Sequence, residues 1–142
     1  MVQLKVIRLD KELDLPKYAL KTDVGFDLRS SEDICIKQDE QKFVKTGIII
    51  EIPKGHVGLI RDRSGVMTKH GVHTVAGTFD SAYRGEVTIA LANFGNEDVY
   101  VERGMRIAQM LILPVKRCTI KEVKGLSKTE RGEKGFGSTG DF

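Results

Sequence analysis

The tightest clustering of chemically useful residue types lies near the C-terminal end. Gly135, Gly137 and Gly140 separate Phe136, Ser138 and Thr139, with Arg131 a few positions upstream. Glycines let successive backbone N–H groups converge on an anion. Ser and Thr hydroxyls add donors, and an arginine adds a two-pronged phosphate fork. A lone aromatic in that setting can stack on a nucleobase. The same composition also fits a flexible, soluble tail. Arg63-Ser64-Gly65 opens a short helical pattern. A helix N-terminus with Ser as cap and Arg beside it can hold phosphate, although plain N-capping accounts for the Ser more simply. Gly77 through Glu86 lies between two strand patterns and can form a wide hairpin. Within it, Asp80 can orient or deprotonate a water, and Tyr83 can pack flat on a sugar. A turn aspartate and a core tyrosine explain the same segment without chemistry. Asp27 interrupts the apolar run Val24 to Leu28. It can hold a water on Mg²⁺, which prefers few carboxylates plus waters and phosphates, or be a strand-end aspartate. Gln109 is the polar member of Ile107 to Leu113, where alternation alone can turn it outward.

The elements that must position these residues read as strands almost throughout. Val2 to Arg8 mostly alternates apolar and polar residues, as a half-buried strand does. Phe43 to Ile52 is rich in β-branched residues and stops at Pro53; His56 to Ile60, Glu86 to Phe94, Arg106 to Leu113 and Cys118 to Val123 follow. Only Ser64 to His70 looks helical, with Gly71 as its stop. Many short strands and one short helix indicate an all-β sandwich or barrel. Beyond Val123 hydrophobicity collapses, which predicts one β domain over residues 1–123 and a Gly-rich arm over 124–142.

With 142 residues the chain is long enough for one domain with its own core. A net charge of +3 suits a small anionic substrate, and no run of five like charges or basic-aromatic interleaving points to nucleic acid. Cys35 and Cys118 form no Cys-x-x-Cys pair, so they read as two small buried residues in a reducing compartment. No apolar run is long enough to span a bilayer and the first ten residues lack a signal-peptide core. Together these predict a cytoplasmic protein with no membrane partner.

Taken in order, these segments resemble the five motifs of the trimeric dUTPase family. The counterparts are Asp23 to Leu28, Arg63 to Val66, Gly77 to Gly85, Gly104 to Gln109, and Arg131 to Gly140. The combination Asp-Ser-Ala-Tyr-Arg-Gly with a terminal Gly-Phe-Gly-Ser-Thr-Gly is the most specific part. The resemblance implies a jelly-roll-like β-barrel and a homotrimer with shared active sites, closed by the C-terminal arm. It implies hydrolysis of dUTP to dUMP and pyrophosphate, with Mg²⁺ as cofactor. That reaction limits uracil in DNA and supplies dUMP for dTMP synthesis.

Residue by residue, the resemblance implies that Asp80 activates the attacking water and touches the sugar 3′-hydroxyl. Gln109 binds water or phosphate near the α-phosphorus, and Asp27 grips Mg²⁺ through a water. Arg63, Ser64 and Gly65 hold phosphates from a neighbouring subunit. Backbone groups from Thr74 through Gly77, Thr78 and Phe79, with Thr88, read uracil, and Tyr83 excludes a 2′-hydroxyl. Arg131 takes the γ-phosphate, Phe136 covers the base, and Gly137, Ser138 and Thr139 close on the phosphates. Five positions depart from the family's usual residues: Val24, Asp62, Thr78, Phe79 and Lys134. Asp62 stands where proline is common, and adds a negative charge beside a phosphate site. Two alternatives remain at this level. One is a dCTP deaminase or bifunctional deaminase-dUTPase, for which Glu86 is the nearest general acid/base. The other is a nucleotide-dependent regulatory binding protein.

Overall fold

Alternation decides which face of each strand is buried, and register decides which strands share it. The computed structural model describes residues 2–141. The strands are β1 (Lys5–Arg8), β2 (Phe26–Arg29), β3 (Ile34–Ile36), β4 (Gln41–Glu51), β5 (His56–Arg61), β6 (Val72–Thr74), β7 (Thr78–Phe79), β8 (Glu86–Asn93), β9 (Val99–Val101) and β10 (Arg106–Pro114), with α1 (Ser64–His70) between β5 and β6. One four-stranded sheet runs β1-β4-β8-β6, a second runs β2-β10-β5-β7, and β3-β9 is a separate ribbon. Every pairing is antiparallel. Two four-stranded antiparallel sheets are the jelly-roll arrangement the sequence predicts.

The core lies between the two sheets. Leu28, Ile36, Val44, Val87, Ile89, Leu91, Ile107 and Met110 are buried in it. Asn93 is the largest buried polar residue there; its amide donates to the carbonyls of Ile36 and Glu97 and its oxygen accepts from Gly95 N–H. With both ends satisfied, its burial costs little.

Two register breaks matter for the site. Between Lys45 and Ile49 the β4–β8 ladder slips, where Gly47 takes φ +68°. The Glu86 carboxylate accepts the Gly47 N–H at 2.9 Å. On β10, register shifts between Arg106 and Ala108 against β2. Ile107 and Ala108 are both buried, as expected when a bulge turns consecutive side chains to one side.

Three expectations need correction. No strand forms over Cys118–Val123, and Ile120 and Val123 are exposed: alternation marks a segment able to join a sheet edge, and within this chain the segment pairs with none of the edge strands. The last backbone tether is Val115 N–H to the Gly55 carbonyl at 2.8 Å. Cys35 is half-buried and Cys118 exposed, not two buried residues. Ser64 is not the helix cap: Arg63 occupies that position, with φ −90° and no side-chain cap bond. The helix stop is as expected, Gly71 being left-handed at φ 66° with its N–H on the Met67 carbonyl.

Candidate active site

Strand order brings one group of predicted residues together. Gln109 on β10 pairs with Asp27 on β2 and with Arg61 on β5, so motifs distant in sequence meet in one row. Asp27, Arg63, Ser64, Gly65 and Gln109 line a cleft of about 260 Å³ with Ala19, Asp23, Val24 and Gly25. Gly25 leaves room for the Gln109 amide, because a Cβ there would meet Gln109 Oε1 and displace it.

The cleft is organised by charge. Arg63 Nε donates to Asp27 Oδ1 at 2.7 Å, and an Arg106 guanidinium nitrogen lies 3.2 Å from Oδ2. Two guanidiniums converge on the Asp27 carboxylate and present charge-assisted donors suited to a phosphate, while Asp23 on the cleft wall offsets part of their charge. Arg106 had no role in the sequence reading. Strict alternation assigns it to the other face; the β10 bulge brings it round, and only register reveals that. At α1, the N–H groups of Val66 and Met67 close on the Arg63 carbonyl at 3.1 Å each. Ser64 and Gly65 precede those bonds, so their N–H groups face outward at a helix start without a side-chain cap.

Asp62 is not the extra negative charge in the cleft that the sequence suggested. Its Oδ1 accepts the Thr74 N–H at 2.6 Å and hydroxyl at 2.7 Å, and its Oδ2 meets His73 Nδ1 at 2.8 Å. Burial raises the Asp62 carboxyl pKa, but the Thr74 and His73 contacts outweigh it and hold the group below its ordinary value. The Asp62 carbonyl accepts Gln109 Nε2 at 2.9 Å. Thr74 therefore spends its amide and its hydroxyl proton on Asp62, which leaves the hydroxyl only its acceptor lone pairs.

The hairpin forms a second group. β6 pairs with β8, and β7 crosses to pair with β5, Phe79 opposite Gly58. Ile60 N–H donates to the Gly77 carbonyl at 2.8 Å. Asp80 and Tyr83 follow, with Tyr83 N–H on the Asp80 carbonyl at 3.1 Å. The Tyr83 ring meets Phe79 edge-on at 5.7 Å and its hydroxyl donates to the Glu86 carbonyl at 3.0 Å. Gly85 must lack a side chain, because a Cβ would strike that ring. Tyr83 is thus a fixed platform, 43% exposed. Thr88 lies on β8, opposite Lys45.

The third group is the arm. Arg131, Ser138 and Thr139 line a shallow pocket with Thr129, Glu130 and Lys134, and Phe136 is fully exposed. Backbone bonds there are local, such as Ser138 N–H to the Gly135 carbonyl at 3.2 Å and Gly140 N–H to Gly137 at 2.9 Å. Within one chain the three groups stay apart. Asp27 and Phe79 sit on opposite edges of the four-stranded sheet, three strand spacings or about 14 Å across.

A protein metal cage is absent among the described residues: no three His, Cys, Asp or Glu side chains converge. One carboxylate beside a phosphate cleft still fits Mg²⁺, which takes its other ligands from waters and phosphate oxygens. No helix among the described residues is long and apolar enough to cross a membrane.

Comparison with known proteins identifies the family and the fold. The dUTPase family model matches residues 11–140. The deoxyuridine 5′-triphosphate nucleotidohydrolase of Clostridium kluyveri is 46% identical over 141 residues, covering 98% of this chain and 99% of that protein. The protein of the same name from Rhizobium meliloti is 52% identical over 134 residues, covering 90% and 84%. Among solved structures, a Staphylococcus bacteriophage 80alpha dUTPase with dUPNHPP superposes with a TM-score of 0.92 at 32% identity, covering 99% of both chains. A mutant dUTPase from phage phi11 of S. aureus, solved to describe coordination of a structural Mg(II) ion, gives 0.83 at 25% identity, covering 89% and 100%.

Proposed function

The chain belongs to the dUTPase family, and from that premise we propose how its residues divide the work. It is an enzyme that hydrolyses dUTP to dUMP and pyrophosphate. The observation that carries the assignment of roles is the cleft joining Asp27, Arg63, Ser64, Gly65 and Gln109.

In this reading Arg63, with the outward amides of Ser64 and Gly65, receives the phosphates, and Arg106 adds charge from β10. The triphosphate competes with Asp27 for Arg63, so substrate replaces an existing ion pair rather than meeting a bare cation. Asp27 holds Mg²⁺ through water, and the ion, when bound with the triphosphate, offsets its charge. Asp80 orients the attacking water and takes its proton, and Gln109 fixes water or phosphate at the α-phosphorus. The remaining backbone groups of Gly77, Thr78 and Phe79, with Thr88, read uracil. Cytosine reverses donor and acceptor edges and would leave such groups unpaired, a mismatch worth about 10⁴ to 10⁵ in discrimination. The Tyr83 ring, locked by Phe79 and Glu86, abuts C2′ and rejects a ribonucleotide by overlap.

The separation of Asp80 from the cleft supports a homotrimer in which each site takes the cleft from one subunit and the hairpin from a second. The exposed arm, from about residue 124, then reaches a site with Arg131, Phe136, Gly137, Ser138 and Thr139. The apolar residues Ile120, Val123 and Leu126, exposed in the single chain, favour the same assembly. Two unpaired cysteines fit a reducing cytoplasm. Nothing favours a deaminase: Glu86 is committed to the Gly47 amide.

Chromatography of dUTP, dCTP and UTP incubated with Mg²⁺ tests the selectivity. Only dUTP should yield dUMP and pyrophosphate. Consumption of dCTP would reopen the deaminase reading, and consumption of UTP would remove Tyr83 as the sugar gate.

A further inference from the structure

We propose that Asp62 is a positioning residue for the phosphate cleft, acting through Arg63, Ser64 and Gln109 without touching substrate. The inference rests on the dUTP-hydrolysing reading and adds to it a residue outside the implied site.

Besides the Arg63–Asp27 ion pair and the Gln109 bond to the Asp62 carbonyl, the start of α1 is held by the Asp62 side chain. The helix has seven residues, too few to be stable alone. Its cap position contributes no side-chain bond, and Val66 is its buried residue. Its C-terminal end is fixed by Gly71, but the phosphate groups face out at the opposite end. Asp62 sits at the junction between β5 and that end. Its carboxylate meets Thr74 N, Thr74 Oγ1 and His73 Nδ1 at 2.6, 2.7 and 2.8 Å. Those partners lie on β6, which belongs to the other sheet. One side chain therefore pins the end of a strand in one sheet to an edge strand of the other, and the next residue is Arg63.

The tie also reaches the second polar residue of the cleft. Gln109 Nε2 donates to the Asp62 carbonyl at 2.9 Å, and Gln109 Oε1 is the atom that crowds Gly25. A shift of residue 62 moves the Arg63 backbone and the Gln109 amide together. The two sides of the tie keep different supports. On the hairpin side Thr74 remains paired with Leu91 on β8, and Val75 N–H donates to the Ala90 carbonyl at 3.1 Å. On the phosphate side Arg61 remains paired with Gln109, but beyond its own helix Arg63 keeps only side-chain bonds, to Asp27 and the Arg106 carbonyl, that the triphosphate itself competes for. Loss of the Asp62 carboxylate is thus felt on the phosphate side while the ladder keeps the base-reading hairpin seated.

The test compares wild type, Asp62→Ala, Asp62→Asn and Thr74→Val in dUTP turnover, with pyrophosphate and deoxyuridine as separate inhibitors. Asp62→Ala is expected to raise KM for dUTP and weaken pyrophosphate inhibition, each by about tenfold, the scale of a lost charge-assisted hydrogen bond. Deoxyuridine inhibition should stay within twofold. Asp62→Asn should recover most of the loss, since its oxygen can accept from Thr74 and its amide can donate to a neutral His73. Thr74→Val, which removes one of the three donors, should show the same pattern at about threefold and serves if Asp62→Ala does not fold. Pyrophosphate inhibition unchanged in a folded Asp62→Ala enzyme, or equal weakening of both inhibitors, overturns the proposal while the family reading stands. Absence of dUTP turnover in wild type overturns both.

Discussion

The phosphate cleft and the C-terminal arm have similar ligand chemistry and opposite states of preparation. In the cleft, Arg63 is already held by Asp27 at 2.7 Å, and Gln109 by the Asp62 carbonyl at 2.9 Å. In the arm, Arg131 and Phe136 are exposed and backbone bonds reach only a few residues along the chain. A site built this way binds phosphate on a frame set in advance and closes with a segment that orders on the ligand. The ordering entropy of the arm, roughly 1–2 kcal/mol per residue, is offset only when nucleotide is present. Folding of the body and closure of the site are therefore separable.

Removing the arm tests that separation with the largest effect. Truncation after Val123 should lower kcat/KM by about 10² or more, because water exclusion and the γ-phosphate contact are lost. The melting temperature should fall by a few degrees at most, since of the apolar residues offered to the assembly only Leu126 is removed. A large drop in melting temperature would mean that the arm is a structural part of the assembly.

Arg63→Ala probes the other side. It should raise KM for dUTP by roughly tenfold to a hundredfold, and should also destabilise the fold by roughly 1–3 kcal/mol, because Asp27 loses its shorter ion-pair partner in a partly buried setting. Steady-state kinetics with denaturant unfolding would read both. A kinetic loss with no stability loss would make the cleft as uncommitted as the arm.

The smallest effect is on pH dependence. The Asp62 carboxyl has a folded pKa below its ordinary value. Its contribution is present above about pH 4 and is lost as pH falls through the lowered folded value. Unfolding midpoints of wild type and Asp62→Asn, compared between about pH 7 and pH 3, should differ most at neutral pH and converge in acid. A constant gap would mean that the carboxylate charge plays no part in the tie.

Much of this was readable from residue order. Runs from Glu86 to Phe94 and from Arg106 to Leu113, bounded by Gly85, Gly95 and Pro114, located to within a residue the two strands that back the site, and Gly71 marked the helix end. What escaped was decided by register and assembly. Arg106 reaches Asp27 beside a bulge, which depends on the partner strand as well as on β10. Asp62 looked like a charge facing the phosphates; its destination on β6 depends on how the two sheets face each other. The apolar residues of Cys118–Val123 suggested a strand, but a strand needs an edge, and sequence does not say whose. That Asp80 and Arg63 come from neighbouring subunits was implied by the resemblance alone; their separation within one chain is visible only in the strand order.

That last separation gives the most direct measurement. Assayed at dUTP well below the wild-type KM, Asp80→Ala homotrimers should be nearly inactive and Arg63→Ala homotrimers should retain about a tenth of the rate or less. Unfolded together in equal amounts and refolded, random trimers would contain some sites with an intact Asp80 from one subunit and an intact Arg63 from another. Statistical mixing makes that about one site in four, so dUTP turnover should recover to roughly a quarter of the wild-type rate. No recovery in mixed trimers would contradict the division of the site between subunits and would require Asp80 and Arg63 of one chain to meet at a single phosphate chain.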